Sequence, residues 1–135
     1  MTDAERARNG LAGHTLCLVK GGDSIVSDAR GIRPMLDLLA SGRNLTGYSA
    51  ADVVVGKAAA MLFVKAGVAH VHAGTLSESA EATLVRFGVP YTFGCCTQYI
   101  VNRAGTGPCP MESAVLDCDD VETAYRILSR KAAEL

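Results

Sequence analysis

The sequence predicts a three-layer α/β domain, with helices on both faces of a mixed sheet of about four or five strands. Three observations carry that prediction. Two alternating runs near the start flank Gly21-Gly22-Asp23, a hairpin signal whose turn residues accept positive φ. Helical and strand-like stretches then alternate toward the C-terminus, the order that lays helices over a sheet. The chain's 135 residues, 49% apolar and 20% charged, suit one folded domain and argue against disorder. No linker, internal repeat or low-complexity segment interrupts them.

The elements follow in order. Asp3 is placed to cap a short helix over Ala4 to Leu11, which Gly13 stops. The hairpin strands are Thr15 to Lys20 and Ser24 to Ser27. Met35 to Ala40 reads as a short helix with Pro34 in its first turn and Gly42 beyond its end. Ala50 to Lys65 reads as one longer helix, with Val53, Val54, Ala58, Met61, Leu62 and Val64 at mostly helical spacing and Gly67 as its stop. Val68 to Ala73 is a strand, Ser77 to Phe87 a helix ended by Gly88, and Pro90 to Phe93 opens a further strand. Ile100-Val101 is read as the edge of another. Two last helices are expected from Pro110 to about Leu116 and from Asp120 to about Ala133, the second with Glu122 and Arg126 pairing at i,i+4.

Bulk charge excludes some partners. Thirteen basic residues against fourteen acidic leave a net charge of −1, with no lysine- or arginine-rich run. That gives no electrostatic footprint for nucleic acid or an anionic membrane, and 5% aromatics without Trp provide no base-stacking platform. Asp52, Lys57 and Lys65 break the longest apolar stretches, so no membrane span is expected. The polar N-terminus has no apolar signal core, and five irregularly spaced cysteines read as reduced thiols. Both point to the cytoplasm.

Three stretches resemble a known family: ADVVVGKAAA at 51–60, SESAEATLVRFGV at 77–89 and NRAGTGPCPME at 102–112. They look like the DUF1893 (TM1506-like) family, which the resemblance places in the cytidine-deaminase-like superfamily. It implies a deaminase-like topology over nearly the whole chain. Zinc deaminases carry His-x-Glu on one helix start and Pro-Cys-x-x-Cys on the next. Between Ala50 and Lys65 there is no His, Cys or Glu, and Ser77 and Ala80 stand where two cysteines would be expected. The expectation is therefore a scaffold without zinc-dependent deaminase activity, and without a metal or other cofactor.

Candidate site residues remain. Two helix N-termini converging on the old pocket would favour an anion, with Gly56 and Lys57 at the first and Ser77, Glu78 and Ser79 at the second. The plainer readings are a helix cap for Ser77 and a solvated ammonium for Lys57. Asn102 and Arg103 precede the Gly105-Thr106-Gly107 turn, where Arg103 either clamps a carboxylate or phosphate or is a solvated loop charge. Cys109 precedes Pro110 and so falls at an N-cap, where the helix dipole favours a thiolate. Glu112, three residues on, is placed to bond back to the cap's backbone amide as in a capping box. Burial as a small cap residue explains Cys109 equally simply. Adjacent Cys95 and Cys96 are assigned to packing, and His70 and His72 share one strand face, either aiming both rings at one ligand or, the plainer reading, buried as hydrogen-bonded imidazoles.

Three functions fit these readings. One is a binding protein for a nucleoside- or nucleotide-like metabolite. The second is a cysteine-dependent enzyme using Cys109, assisted by Glu112 or a histidine, and the third is an interaction module that forms a homo-oligomer.

Overall fold

In the computed structural model, which describes residues 1–101, 105–107 and 109–134, one five-stranded sheet organises the chain. Helix α1 (Asp3–Gly10) precedes the hairpin of β1 (Leu16–Lys20) and β2 (Asp23–Ser27), and α2 (Arg33–Ala40) follows it. The pairs β3 (Ser49–Val55) with α3 (Lys57–Ala66) and β4 (His70–Ser77) with α4 (Glu78–Arg86) come next. β5 (Tyr91–Thr97), α5 (Pro110–Ala114) and α6 (Val121–Ala133) complete it. Strand order is β2-β1-β3-β4-β5, with β1 antiparallel to both neighbours and β3, β4 and β5 parallel. The three-layer α/β expectation holds.

The layers follow from burial. Leu16 and Leu18 of β1, Ala50 and Val55 of β3, and Val71, Ala73 and Leu76 of β4 meet α3, α4 and α6 in the main core, with Phe63, Met61, Leu62, Leu84 and Leu128 fully enclosed. Run of small residues Ala58-Ala59-Ala60 lets α3 lie close on the sheet, and all three are buried. On the opposite face α1 packs across β1, β3 and β4, where Ala7 and Leu11 meet Cys17, Val19 and Ala51.

The structure corrects several expectations. Ala50 to Lys65 is not one helix: Ala50 to Val55 belong to β3, and the helix begins only at Lys57. Three consecutive valines prefer a pleated strand, and Gly56 marks the change of period that the apolar run concealed. Thr2, not Asp3, caps α1, in a capping box with Glu5. Among the described residues Ile100-Val101 adds no strand to the sheet, Val101 forming only an isolated bridge. Glu122 reaches across to Lys65 at 2.7 Å instead of pairing with Arg126, because α6 lies against α3.

Candidate functional site

Parallel strands β3 and β4 each turn into a helix through a single residue, Gly56 and Ser77. These turns lie at the C-terminal ends of the parallel strands, the edge at which open α/β sheets bind ligands. Helix α5 packs at the start of α3 on this edge. That contact brings Glu112, a residue distant in sequence, to Gly56 and Lys57.

Glu112 is the centre of the site. Its side chain is buried, and its two carboxylate oxygens accept hydrogen bonds from the backbone N–H groups of Lys57 and Ala58, each at 2.6 Å. Those are free donors at the start of α3, so a carboxylate from α5 caps a helix that has no side-chain cap of its own. Gly56 is required for space, since a Cβ there would overlap the Glu112 carboxylate. Its φ of −99° is open to any residue, so conformational freedom is not the reason for glycine.

Burial pushes the Glu112 carboxyl above its ordinary value, the two amides, the Lys57 charge and the Ser79 hydroxyl opposing that rise. Ser79 links the network to α4, standing 3.2 Å from Ser77 Oγ. The Lys57 ammonium donates to the Leu116 carbonyl at 2.7 Å, tying the α5–α6 connection to the same corner. A groove of about 190 Å³ opens beside it, lined by Lys57, Ser79, Thr83, Arg86, Phe87 and Cys118. Arg86, on its rim, bonds Asp119 at 3.0 Å.

The predicted residues divide accordingly. Gly56, Lys57 and Glu112 come together. Ser77 is wholly buried and accepts the Ala80 N–H at 3.1 Å, the plain cap, while Glu78 is exposed beside it. Cys109 does take the N-cap of α5 and is half-buried, but the capping box does not form. Its N–H donates to the Ile100 carbonyl at 2.8 Å, and Glu112 has turned to α3. Asn102 and Arg103 lie outside the described residues.

Cys95 and Cys96 are exposed rather than packed, because β5 is the outermost strand. His72 is buried with Nδ1 2.7 Å from Thr92 Oγ1, as expected, whereas the buried Nδ1 of His70 has no hydrogen-bond partner among the described residues. Burial holds both imidazoles below their usual value. Among the described residues no three His, Cys, Asp or Glu side chains stand close enough to hold a metal ion, and no helix is long and apolar enough to cross a membrane.

Ser79, expected at the start of α4, joins the Glu112 network. Asp52 escaped sequence reasoning. Asp52 sits in β3 opposite Ala73, and burial raises its carboxyl to about 7, the amides of Val54 and Val53 opposing. A lone carboxylate among valines was the available signal.

The family profile named "TM1506: Domain of unknown function (DUF1893)" matches residues 7–132. The chain belongs to that family. It is also similar to the crystal structure of a DUF1893 family protein (TM1506) from Thermotoga maritima, with a TM-score of 0.86 and 28% identity over 97% of this chain and 91% of that one. No curated protein matches.

Proposed function

We propose, for this member of the DUF1893 family, a small-ligand binding role on a cytidine-deaminase-like scaffold that performs no zinc-dependent deamination. The ligand is a nucleoside- or nucleotide-like metabolite, and its site is the groove beside Glu112. One observation supports this most: Lys57 and Ser79 belong at once to the groove wall and to the surroundings of the buried carboxylate. A ligand in the groove therefore meets donors whose positions α3, α4 and α5 fix together.

The chemistry limits where an anionic group goes. Glu112 already occupies the first amides of α3, so a phosphate does not sit there while that carboxylate is in place. Lys57 supplies the positive charge instead, on the groove side, because Arg86 there is already paired with the lining carboxylate of Asp119. The volume of about 190 Å³ lies below the roughly 300–1,000 Å³ of drug-sized sites and suits a single ring or head group. The sheet order, with a leading antiparallel hairpin and three parallel strands, supports the deaminase-like assignment. The starts of α2, α3 and α4 carry no His or Cys to ligate zinc.

The test is a thermal-shift panel of nucleosides and mononucleotides on the wild-type chain, Lys57→Ala and Ser79→Ala. The reading expects stabilisation by at least one class, weakened about tenfold or more in apparent Kd by Lys57→Ala. No shift with any ligand at millimolar concentration overturns it.

A further inference from the structure

β5 hydrogen-bonds to β4 along one side, and its other side has no partner strand among the described residues. Such an edge presents a row of amide and carbonyl groups that another strand can match. Charged side chains and proline normally blunt it. β5 has neither. From Phe87 to Val101 there is no charged residue, and the one proline, Pro90, precedes the strand. The opposite edge differs: β2 begins with Asp23, which holds Arg43 at 2.7 Å, and Asp28 follows its last residue.

Exposure adds to the contrast. Five consecutive residues of β5, Thr92 to Cys96, are exposed, so both faces of the strand are open as well as its edge. Phe93 is 42% exposed, and Tyr99 and Val101 beyond the strand are 52% and 53% exposed. Aromatic residues and threonine favour strand pairing, so the segment is suited to the sheet extension it lacks.

We propose that β5 is a seam at which two copies of this chain join edge to edge, antiparallel, into one continuous sheet. Charge identifies the occupant. Two-fold pairing sets each residue opposite a residue of the same strand, so an edge that joins its own copy must tolerate its own charges. β5 itself has none to repel, and the Glu81 carboxylate beside it is held by the Tyr91 hydroxyl at 2.8 Å. The net charge of −1 adds little long-range repulsion. Centred on Gly94, the pairing sets Phe93 of one copy opposite Cys95 of the other, Thr92 opposite Cys96 and Tyr91 opposite Thr97. Every pair is neutral, and the axis falls where the absence of a side chain permits close approach. Seven residues give a seam of about 23 Å. It leaves Lys57 and its groove uninvolved, so this proposal stands apart from the ligand reading.

Light scattering after size exclusion, on the full chain from low micromolar to near-millimolar concentration, tests it. The wild type is expected to weigh twice 14.1 kDa, and Phe93→Lys and Cys95→Lys to weigh 14.1 kDa while keeping the wild-type circular dichroism. Val26→Lys, on the β2 edge, should remain a dimer. A short bismaleimide cross-linker on the unmutated protein gives a second readout: dimers linked through Cys95 or Cys96 peptides are expected. A wild-type monomer at every concentration overturns the proposal, including the case in which the edge serves a different protein. So does a dimer that keeps its mass in both lysine variants, or one that yields no cross-link through these cysteines.

Discussion

Helices α3 and α4 start in the same way and are capped in opposite ways. Each follows a parallel strand at once, α3 after the single residue Gly56 and α4 directly after Ser77, and each presents its first amides at the C-terminal edge of the sheet. Ser77 closes α4 locally, its hydroxyl accepting the Ala80 N–H. Gly56 offers α3 nothing, and Glu112 closes it from α5. A local cap stabilises one helix. The long-range cap also fixes the position of α5, and so couples three helices at one corner. This coupling is what makes the α3 side the candidate site and the α4 side its support.

Gly56 carries the largest expected effect. Gly56→Ala places a methyl group on the Glu112 carboxylate and is expected to cost about 3 kcal/mol in urea unfolding, from displaced hydrogen bonds and overpacking together. Adding Glu112→Ala should make the pair clearly less destabilising than the sum, because the clash and the lost cap share one cause. Strict additivity would separate the two residues energetically.

Glu112→Gln sharpens the same point at about 2 kcal/mol. The amide keeps one acceptor oxygen but turns its NH₂ toward a backbone donor, leaving an α3 amide unmet. Unfolding at neutral pH measures it, and loss within a few tenths of a kcal/mol would mean water caps α3 equally well.

Asp52 makes a pH prediction. Its folded carboxyl is raised to about 7 from 3.8, so the folded state keeps a proton that the unfolded chain has released. Stability from this group is then full below the unfolded value and is lost as pH rises from 3.8 to about 7. Asp52→Asn should flatten that fall and stabilise the protein by about 1–2 kcal/mol at pH 8, partial solvation reducing the full effect. A stability–pH curve unchanged by the substitution would refute it. Glu112, also raised, contributes in the same direction. Ser77→Ala completes the series at about 1 kcal/mol, the usual worth of an N-cap hydroxyl.

The same contrast explains what was legible. Ser77 announces its cap within four residues of sequence, and the hairpin announces itself through Gly21-Gly22 between two alternating runs; both came out as read. β3 did not. Its residues are buried on both faces through Ala50 and Ala51, so the strand lacks alternation, and its valines merged with the helical pattern beyond Gly56. Glu112 was recognised as a capping residue by its distance from Cys109, but local spacing could not show that a more distant helix would claim it. Cys95 and Cys96 were assigned to packing because apolar thiols are usually buried, and edge position is a property of the sheet rather than of the segment.

The most direct test of the Glu112 cap is the amide ¹H–¹⁵N spectrum of Lys57 and Ala58 across an acid titration, in the wild type and in Glu112→Gln. A carboxylate hydrogen-bonded to both amides should place both resonances downfield, move them together through one transition above the ordinary glutamate range, and lose that transition in Glu112→Gln. Two amides that ignore both the titration and the substitution would contradict the account, since Glu112 would then not hold the start of α3.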